Sequence, residues 1–357
     1  MSELSIRKRL ALEIARKIRN NRKELHPIKQ LFWESTLRCN LHCKHCGSDC
    51  RQTSDVKDMS VPDFLRVIDT ITPHVNPHEV NIIITGGEPL VRQDLEEVGL
   101  ALYRRGYSWG IVSNGLLLTE QRLQSLMGAG LHAITISLDG FQYEHNWLRG
   151  DSRSYDCAFG AIKMLVNEPE LVWDVVTCVN QRNYRHLQEF KDNLYNNGVR
   201  DWRLFTIFPV GRAALLLDLQ LKDEEFIGLM EFIKHVRKEG KIHVNYGCEG
   251  FLGKYEGEVR DYFFGCNAGI SVASILADGS ISACPSIRSH FYQGNIYQDD
   301  FMEVWNKGFQ LYRDRKWMKK GLCSECGFFR YCEGNGMHLR DDNGDLLFCH
   351  LHRLHEQ

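Results

Sequence analysis

Between residues 30 and 210, short apolar runs alternate with longer segments in which apolar residues recur every three or four positions. The runs are rich in Ile, Val and aromatic residues, as are strands that are buried on both faces. Repeated strand–helix alternation implies right-handed crossovers, and it therefore predicts a parallel sheet or an incomplete barrel. The six predicted strands are Leu31–Trp33, Val80–Ile84, Gly110–Val112, Ala133–Leu138, Val175–Val179 and Leu204–Phe208.

The helices between these strands have recognisable starts and ends. Ser60 precedes the segment Val61–Ile71 and is a favourable N-terminal cap. Gly106 ends the second predicted helix, and Gly128 or Gly130 ends the third. The other predicted starts are Asp94, Thr119 and, for a later helix that runs to Lys238, Asp223.

The two ends of the chain differ from this central region. Residues 1–29 contain a predicted basic helix in which Leu10, Ile14 and Ile18 recur every four residues. We favour a helix docked on the domain with a solvated basic face over contact with a membrane surface or an acidic partner. After about residue 240 the strands become short and the cysteines return. We therefore expect a core domain in residues 30–240 and, in residues 241–357, a small module that is stabilised by bound metal.

Composition narrows the class of protein. The chain has 357 residues and a formal net charge of −2, so it lacks the basic excess of a nucleic-acid-binding protein. No run of about 18 apolar residues predicts a membrane-spanning helix. No secretory signal is visible, so we expect a cytoplasmic protein. In a reducing compartment the thirteen cysteines, which are clustered, predict metal binding rather than disulfides.

The first cysteine cluster follows the first predicted strand. Three thiolates at the spacing Cys39-x3-Cys43-x2-Cys46 can hold three irons of a [4Fe–4S] cubane and leave the fourth iron without a protein ligand. An open iron is useful only if a substrate or cofactor binds there. One alternative is Cys50 as a fourth ligand, which would close the cluster. Another is a structural zinc site, which usually needs a second pair of ligands.

The segment Cys39–Cys46, with the sequence CNLHCKHC, resembles the signature loop of the radical S-adenosylmethionine superfamily. The resemblance implies an α/β fold with a partial (β/α)6 TIM-like barrel. It also implies that the open iron binds the amino and carboxylate groups of S-adenosylmethionine. One electron then cleaves this cofactor to methionine and a 5′-deoxyadenosyl radical, which abstracts hydrogen from a substrate. The protein's part is to position the cofactor and shield the radical.

Further motifs follow the later strands in the order that this family has. Gly86-Gly87-Glu88-Pro89 resembles the motif for the methionyl amino group, since glycines permit close approach and a carboxylate can pair with an ammonium. Taken singly, such motifs are also ordinary turns, and an arginine among them can be a surface salt bridge. By the resemblance, the expected cofactor contacts are Gly86, Gly87, Glu88, Pro89, Ser113, Asn114, Ser137, Asp139, Arg149 and Val210.

The C-terminal cysteines have the spacing of a second module. They are similar to the SPASM module, which holds auxiliary iron–sulfur clusters in peptide- and protein-modifying radical enzymes. The set Cys323-x2-Cys326-x5-Cys332 with Cys349 is complete. The resemblance therefore implies one auxiliary [4Fe–4S] cluster there, with zinc as the alternative for four thiolates.

The ligand set of a second auxiliary cluster is incomplete in the sequence. By the resemblance it would use Cys266 and Cys284, but the family's further cysteine is Gly336 in this chain. Cys248 or a non-cysteine ligand would have to replace it. We therefore expect a single auxiliary cluster.

The resemblance covers residues 30 to about 352 and implies an enzyme that modifies a peptide or protein. The alternative is the same chemistry on a small molecule such as a tetrapyrrole in haem biosynthesis. A non-enzymatic iron–sulfur or zinc protein would leave the open iron and the ordered motifs unexplained. The segment Cys46–Cys50 also resembles radical enzymes encoded beside a small lipoprotein, which adds a lipoprotein to the expected substrates. The expected electron donor is a flavodoxin or ferredoxin, and no catalytic acid or base can be assigned.

Overall fold

The computed structural model describes residues 4–354, and within them one sheet of ten strands runs through the molecule. The first seven strands are parallel neighbours in chain order. The eighth strand pairs in parallel with the other side of the first, and two short antiparallel strands follow it. The strands are β1 (Gln30–Glu34), β2 (Asn81–Thr85), β3 (Ser108–Ser113), β4 (Leu131–Ser137), β5 (Val172–Val179), β6 (Asp201–Thr206), β7 (His243–Tyr246), β8 (Val272–Ile275), β9 (Ser280–Ser282) and β10 (Gly294–Asn295).

The order of the strands, β10-β9-β8-β1-β2-β3-β4-β5-β6-β7, keeps the two ends of the sheet apart. The sheet is therefore an open, incomplete barrel, and the predicted α/β fold class is confirmed. The helices are α1 (Ile6–Leu25), α2 (Val61–Ile71), α3 (Leu95–Arg104), α4 (Glu120–Gly128), α5 (Gln142–Arg149), α6 (Ser154–Leu165), α7 (Leu187–Asn196), α8 (Asp223–Glu239), α9 (Phe301–Lys307), α10 (Gln310–Arg313), α11 (Phe329–Cys332) and α12 (His350–Arg353).

Two of the four predicted helix starts, Ser60 and Thr119, cap the first turn of their helices. The Ser60 hydroxyl accepts a hydrogen bond from the Asp63 N–H at 3.2 Å, and the Thr119 hydroxyl accepts one from the Arg122 N–H at 3.1 Å. Asp94 stands at the N-cap of α3 but makes no such bond, because its carboxylate pairs with the Arg92 guanidinium instead.

Large apolar side chains fill the space between the sheet and the helices. The rings of Trp33 on β1 and Phe64 on α2 are stacked, with centroids 4.1 Å apart. Gly99 on α3 allows close contact with β3, since a Cβ at this position would lie 2.2 Å from the Trp109 ring. Each buried side chain of this size contributes about 1.5–3 kcal/mol to folding, so these contacts fix the sheet on which the site is built.

Helix α1 docks through its basic residues and through the buried Leu12, whereas the sequence led us to expect a solvated basic face. Arg19 and Lys23 both pair with Glu333, and Lys8 pairs with Glu258. The apolar stripe points outward instead: Leu10, Ile14 and Ile18 are 63%, 52% and 54% exposed. The physical reason is that the neighbouring C-terminal region presents carboxylates and backbone carbonyls to this helix, for which arginine and lysine are the better partners.

The sheet continues across the predicted domain boundary at residues 240 and 241. Strand β7, which lies beyond that boundary, pairs with β6, and β8 pairs with β1. The division into 1–29, 30–240 and 241–357 stays a prediction. Among the helices of residues 4–354, none is long and apolar enough to cross a membrane.

Candidate active site and iron–sulfur sites

The loop that follows β1 carries the first three cysteines. Its two ends are held together by backbone contacts. The Cys39 N–H donates to the Arg51 carbonyl at 2.6 Å, and the backbones of Arg38 and Arg51 form an isolated parallel β-bridge. Cys39, Cys43 and Cys46 line one cavity of about 150 Å³, beside the residues that end β2 and β3. The structure thus brings the three thiols together at the C-terminal edge of the sheet.

The surroundings of these thiols fit a metal cluster. Burial raises the pKa of Cys39 to about 12, so a free thiolate is unfavourable there, whereas iron would replace the thiol proton. The Arg149 Nη1 lies 3.8 Å from the Cys43 Sγ, and the Asn114 Nδ2 lies 3.9 Å from the Cys39 Sγ. Both donors would stabilise sulfur ligands that carry negative charge.

The distances between these side chains differ from those of a single-ion site. In residues 4–354, no three or more His, Cys, Asp or Glu side chains surround a position that could hold one metal ion. The thiols are instead distributed around the cavity wall. The His45 Nδ1, which also faces this region, is buried and has no hydrogen-bond partner among the described residues.

Cys50, the alternative fourth ligand, lies against Cys46. A hydrogen bond from the Cys50 thiol is the main reason that the pKa of Cys46 falls to about 5, and the same bond raises the pKa of Cys50 itself. Cys50 is buried and also lines the cavity. Cys50 is therefore placed to donate a hydrogen bond to Cys46, one of the three predicted cluster ligands.

The glycines after β2 pack directly against the cysteine loop. A Cβ on Gly86, whose φ is +137°, would lie 2.2 Å from the Thr36 carbonyl oxygen. A Cβ on Gly87 would lie 2.1 Å from the Arg38 carbonyl oxygen. Both positions therefore require glycine, and the short turn that begins at Pro89 carries the chain away from the cavity.

Glu88 is held in place by three hydrogen bonds. Its carboxylate accepts from the Asn114 N–H at 2.7 Å, the Ser113 hydroxyl at 2.9 Å and the Leu90 N–H at 3.1 Å. Burial raises the pKa of Glu88, although these bonds and Arg149 act in the opposite direction. Glu88, Ser113 and Asn114 all line the cysteine cavity.

Asp139 and Arg149 form a buried ion pair next to Cys43. The Arg149 Nε donates to the Asp139 Oδ2 at 2.6 Å, and the Cys178 N–H donates to the other carboxylate oxygen at 2.8 Å. This ion pair orients the Arg149 guanidinium toward the Cys43 thiol. Arg149 lines the cavity, as does Ser137 at the end of β4, whereas Asp139 lies behind it.

Val210 is not part of the cavity wall, but its neighbours hold the cysteine loop. The Arg212 N–H donates to the Cys46 carbonyl at 3.1 Å, and the Arg212 Nε donates to the Cys43 carbonyl at 2.7 Å. A Cβ on Gly211 would lie 2.5 Å from the Cys46 carbonyl oxygen. The sequence did not predict that Arg212 holds the cysteine loop, although its place after the sixth strand was an available signal.

The four later cysteines gather in the C-terminal region. Burial raises the pKa of Cys332, and the nearby thiols Cys349, Cys323 and Cys326 raise it further. Two groups donate to these sulfurs: the Asn335 N–H lies 3.2 Å from the Cys332 Sγ, and an Arg340 nitrogen lies 3.5 Å from the Cys323 Sγ. The chemistry of this donor set fits one cubane.

Cys266 and Cys284 lie together at another place, beside Tyr312. Burial raises the pKa of Tyr312, and the two thiols raise it further, which shows that both are its neighbours. The Arg315 Nη2 donates to the Cys266 carbonyl at 3.1 Å. The structure therefore keeps the predicted pair together and separate from the first cysteine cavity.

Comparison with known families agrees with this arrangement. Residues 33–194 match the radical SAM superfamily, and residues 266–327 match SPASM, an iron–sulfur cluster-binding domain. The first match spans the cysteine loop and the strand-end motifs as far as α7. The second contains Cys266, Cys284, Cys323 and Cys326.

Curated relatives extend the similarity over most of the chain. The mycofactocin maturase MftC of Mycolicibacterium smegmatis is 30% identical over 319 residues, which cover 86% of this chain and 77% of the relative. The AdoMet-dependent heme synthase of Oleidesulfovibrio alaskensis is 28% identical over 322 residues, which cover 85% of this chain and 81% of that protein.

Solved structures share the fold. Native anSMEcpe with bound AdoMet has a TM-score of 0.70 at 17% identity, covering 92% of this chain and 94% of that one. Streptococcus suis SuiB bound to S-adenosylmethionine has a TM-score of 0.67 at 17% identity, covering 86% and 72%. The matched segments and the 30% identical relative show that this chain belongs to the radical S-adenosylmethionine superfamily, as an enzyme with a C-terminal SPASM iron–sulfur domain.

Proposed function

We propose that this enzyme modifies a peptide or protein by abstracting a hydrogen atom from it. When bound, the [4Fe–4S] cluster supplies the electron that cleaves S-adenosylmethionine to the 5′-deoxyadenosyl radical. The observation that carries the choice of substrate is a second, larger cavity inside the curved sheet.

The residues of the first cavity take the following roles in this proposal. Cys39, Cys43 and Cys46 hold the cluster. Glu88, fixed by its three hydrogen bonds, accepts a hydrogen bond from the amino group of the methionyl end. Arg149 faces the cofactor carboxylate. The remaining proposed contacts are Gly86, Gly87 and Pro89 at the methionyl end, Ser113, Asn114, Ser137 and Asp139 toward the ribose and methionyl groups, and Val210 beside the adenine.

The larger cavity has a volume of about 660 Å³ and lies inside the sheet, toward the N-terminal ends of the strands. Its apolar wall includes Phe32, Ile83 and Trp173. It reaches Val112, which also borders the cysteine cavity. The sheet is open between β7 and β10, and we propose that an extended chain enters there and places one side chain inside while its flanks stay outside.

The charge of this cavity favours a peptide over a tetrapyrrole. Apart from His243, its charged lining consists of Asp174, Asp201, Arg200 and Arg203, two of each sign. The Arg203 Nη2 donates to the Asp174 Oδ1 at 3.1 Å, so this cation already has a partner. A tetrapyrrole with several carboxylates would require a cationic excess that the lining does not have.

Named relatives support the same choice. MftC is a maturase, and solved structures with this fold include SuiB bound to the precursor peptide SuiA and anSMEcpe with a bound peptide. We further propose a cytoplasmic location, because all thirteen cysteines are free, and a flavodoxin or ferredoxin as electron donor.

A small-molecule substrate is the second candidate. The observation in its favour is the 28% identity to a heme synthase over 85% of this chain. A tetrapyrrole would then occupy the 660 Å³ cavity, with Arg200 and Arg203 near its carboxylates.

The test uses full-length protein, reconstituted anaerobically with iron and sulfide and then reduced. With S-adenosylmethionine alone we expect slow formation of 5′-deoxyadenosine. A peptide substrate should accelerate it and leave with an altered mass. Fe-coproporphyrin III should not accelerate it, and conversion of that compound to a new product would favour the second candidate.

The family assignment has its own control. The triple variant Cys39→Ala, Cys43→Ala, Cys46→Ala should form no 5′-deoxyadenosine, because three ligands of the cluster are gone. Cys157→Ala is the matched control, since Cys157 on α6 lines neither cavity. Cleavage that persists in the triple variant would overturn the assignment of the first cysteine loop.

A further inference from the structure

Helix α1 presents a row of apolar side chains to solvent. Ile6, Leu10, Ile14 and Ile18 lie at intervals of four residues, and Leu25 follows seven residues later, so all five share one side of the helix. Their exposed fractions are 86%, 63%, 52%, 54% and 66%. The described part of the chain therefore leaves this apolar stripe largely uncovered.

The opposite side of the helix fixes this orientation. Leu12 is buried among aromatic side chains of the C-terminal region. The Lys8 Nζ lies 2.6 Å from the Glu258 carboxylate, and the Lys23 Nζ lies 2.6 Å from the Glu333 carboxylate. These contacts lie near both ends and in the middle of α1. The helix is thus anchored along its length, and the stripe points outward as a fixed part of the surface.

Three cations lie beside the stripe. Arg7, Lys17 and Arg22 are each three or four residues from a member of the stripe, which places them on the same side of the helix. All three are exposed, and none forms an ion pair with a described residue. Arg22 has a neutral neighbour, the Asn267 Oδ1, at 3.5 Å. We call the stripe and these three cations the outer face of α1.

The acids of α1 do not neutralise this face. The helix contains two, Glu13 and Glu24. Glu13 accepts a hydrogen bond from the Tyr331 hydroxyl at 2.7 Å and pairs with Arg330, so its carboxylate is engaged with α11. Glu24 is exposed, which leaves three cations against one carboxylate. A fixed helical face that is apolar and carries a net positive charge fits a surface that is apolar beneath anionic groups.

We propose that the outer face of α1 binds a membrane surface that carries anionic lipid headgroups. The stripe enters the boundary between headgroups and acyl chains, and Arg7, Lys17 and Arg22 lie among the headgroups. The helix lies on the membrane and does not cross it, in agreement with the lack of a membrane-crossing helix in residues 4–354. A peripheral enzyme on the inner side of a membrane is compatible with the proposed cytoplasmic location. The inference is independent of whether the substrate is a peptide.

Two features of the outer face favour a bilayer over a protein partner. A stable protein interface uses about 20–30 residues a side, and its strongest contacts come from Trp, Tyr and Arg in well-packed pockets. The outer face has five aliphatic side chains, no aromatic one and a convex shape, because it belongs to a single helix. A bilayer needs no pocket to cover such a row. A second copy of this chain would bring six cations into one small contact, which like-charge repulsion disfavours.

The experiment sediments the full-length, anaerobically reconstituted protein with lipid vesicles. We expect it to bind vesicles that contain phosphatidylglycerol and phosphatidylcholine, and to bind less well as salt screens the charges. The combined variant Leu10→Gln, Ile14→Gln, Ile18→Gln should remain in the supernatant. The matched control is Leu215→Gln, Leu217→Gln, since these leucines are 88% and 80% exposed on another segment, and it should bind like wild type.

A second variant tests the charges. Each cation near an anionic surface contributes about fivefold to affinity, so Arg7→Gln, Lys17→Gln, Arg22→Gln should weaken binding to the anionic vesicles by about a hundredfold. Binding to vesicles of phosphatidylcholine alone should change little. The charge-matched control replaces three cations with side chains 57%, 76% and 91% exposed on other segments, and it should keep the wild-type affinity: Arg66→Gln, Lys307→Gln, Lys316→Gln.

Loss of binding must not come from misfolding. The stripe variant should therefore form 5′-deoxyadenosine from S-adenosylmethionine like wild type in the absence of vesicles. Its thermal unfolding should be nearly unchanged, because the side chains that anchor α1 are intact. The charge variant keeps the stripe, so it provides an independent result if the stripe variant is unstable.

Three results would overturn the proposal. Wild-type protein that stays in the supernatant with anionic vesicles would exclude the membrane and leave an acidic protein as the partner of this face. Full vesicle binding by the stripe variant would place the membrane contact elsewhere. A dimer in sedimentation equilibrium that the stripe variant dissociates would assign the face to a contact between two copies. None of these results bears on the cleavage of S-adenosylmethionine, so failure here leaves the proposed function intact.

Discussion

The Glu88 carboxylate holds together two strand ends as well as facing the cavity. Replacing it with alanine would leave the N–H groups of Asn114 and Leu90 buried without an acceptor, at a cost of about 1–3 kcal/mol for each. We expect Glu88→Ala to lower both the stability of the cluster-free protein and the affinity of the reconstituted protein for S-adenosylmethionine. Glu88→Gln keeps one acceptor oxygen, so it should lose affinity with a smaller loss of stability.

Denaturant unfolding and calorimetric titration measure these two effects separately. Glu79→Ala is the control, because Glu79 forms an exposed pair with Lys29, and its loss should change stability by less than about 1 kcal/mol. If Glu88→Ala unfolds like wild type, its hydrogen bonds do not organise the strand ends.

The Asp139–Arg149 pair predicts a pH dependence at the same scale. Burial raises the pKa of Asp139, but Arg149, His45 and His145 lower it by more, so the net pKa lies below its usual value. Because the pKa of Asp139 is lower in the folded than in the unfolded protein, its ionised carboxylate stabilises the fold. This stabilisation is fully present above the unfolded pKa of about 3.9, and it is lost as the pH falls toward the folded-state pKa.

Arg149→Met would leave Asp139 buried without its cation, which costs about 3–5 kcal/mol near neutral pH. The deficit should shrink toward about pH 5, because the isolated carboxyl then takes up a proton more readily. Arg153→Met is the matched control, since Arg153 is 73% exposed in its pair with Asp151. Equal deficits at both pH values, measured by denaturant unfolding, would contradict this account.

Sequence patterns predicted the site better where the residues belong to one motif than where they meet across the fold. The glycines at 86 and 87 and the three-cysteine loop were recognisable because their spacing is local. Arg212 holds the Cys43 carbonyl from a position 169 residues away. His338 takes up space beside Gly336 and the Glu249 carbonyl, contacts that only the folded chain defines.

At the scale of elements, the six long strands were predictable because each contains a short run rich in apolar, β-branched and aromatic residues. Strands β7 to β10 were not, since they are two to four residues long and their periodicity is too short to detect. The sequence predicted helix α1, but it did not predict which face of the helix is buried. The partner surface carries Glu333 and Glu258, which pair with basic residues of α1, and the apolar side chain that it buries is Leu12 rather than the stripe.

The orientation of α1 leads to a prediction about stability. Changing Leu10, Ile14 and Ile18 together to Gln should alter stability by less than about 0.5 kcal/mol for each, because all three side chains are exposed. Glu333→Gln should cost about 1–3 kcal/mol, because it leaves the mostly buried Arg19 and Lys23 without their shared carboxylate. Thermal unfolding of the two variants distinguishes these outcomes, and the reverse ranking would show that the stripe is the docking face.

At the scale of the whole molecule, the chain after residue 240 is structurally part of the barrel sheet. Strand β8 covers the open side of β1, and β7 covers the open side of β6. The Trp305 side chain of α9 also donates to the His26 carbonyl ahead of β1, at 3.0 Å. The barrel and the cluster region therefore stabilise one another, although their sequence patterns differ.

A chain that ends at residue 240 should consequently not fold by itself. It would expose the edges of β1 and β6 to solvent, and unpaired edges with apolar faces promote aggregation. We expect this fragment to unfold without a cooperative transition, as followed by circular dichroism, and to bind a hydrophobic dye. The matched control lacks residues 1–25 and keeps all ten strands, so it should melt cooperatively at a lower temperature, having lost the ion pairs of α1. A cooperative melt of the 1–240 fragment would instead establish the core domain as an independent folding unit, and the strand pairs across the boundary would then be dispensable.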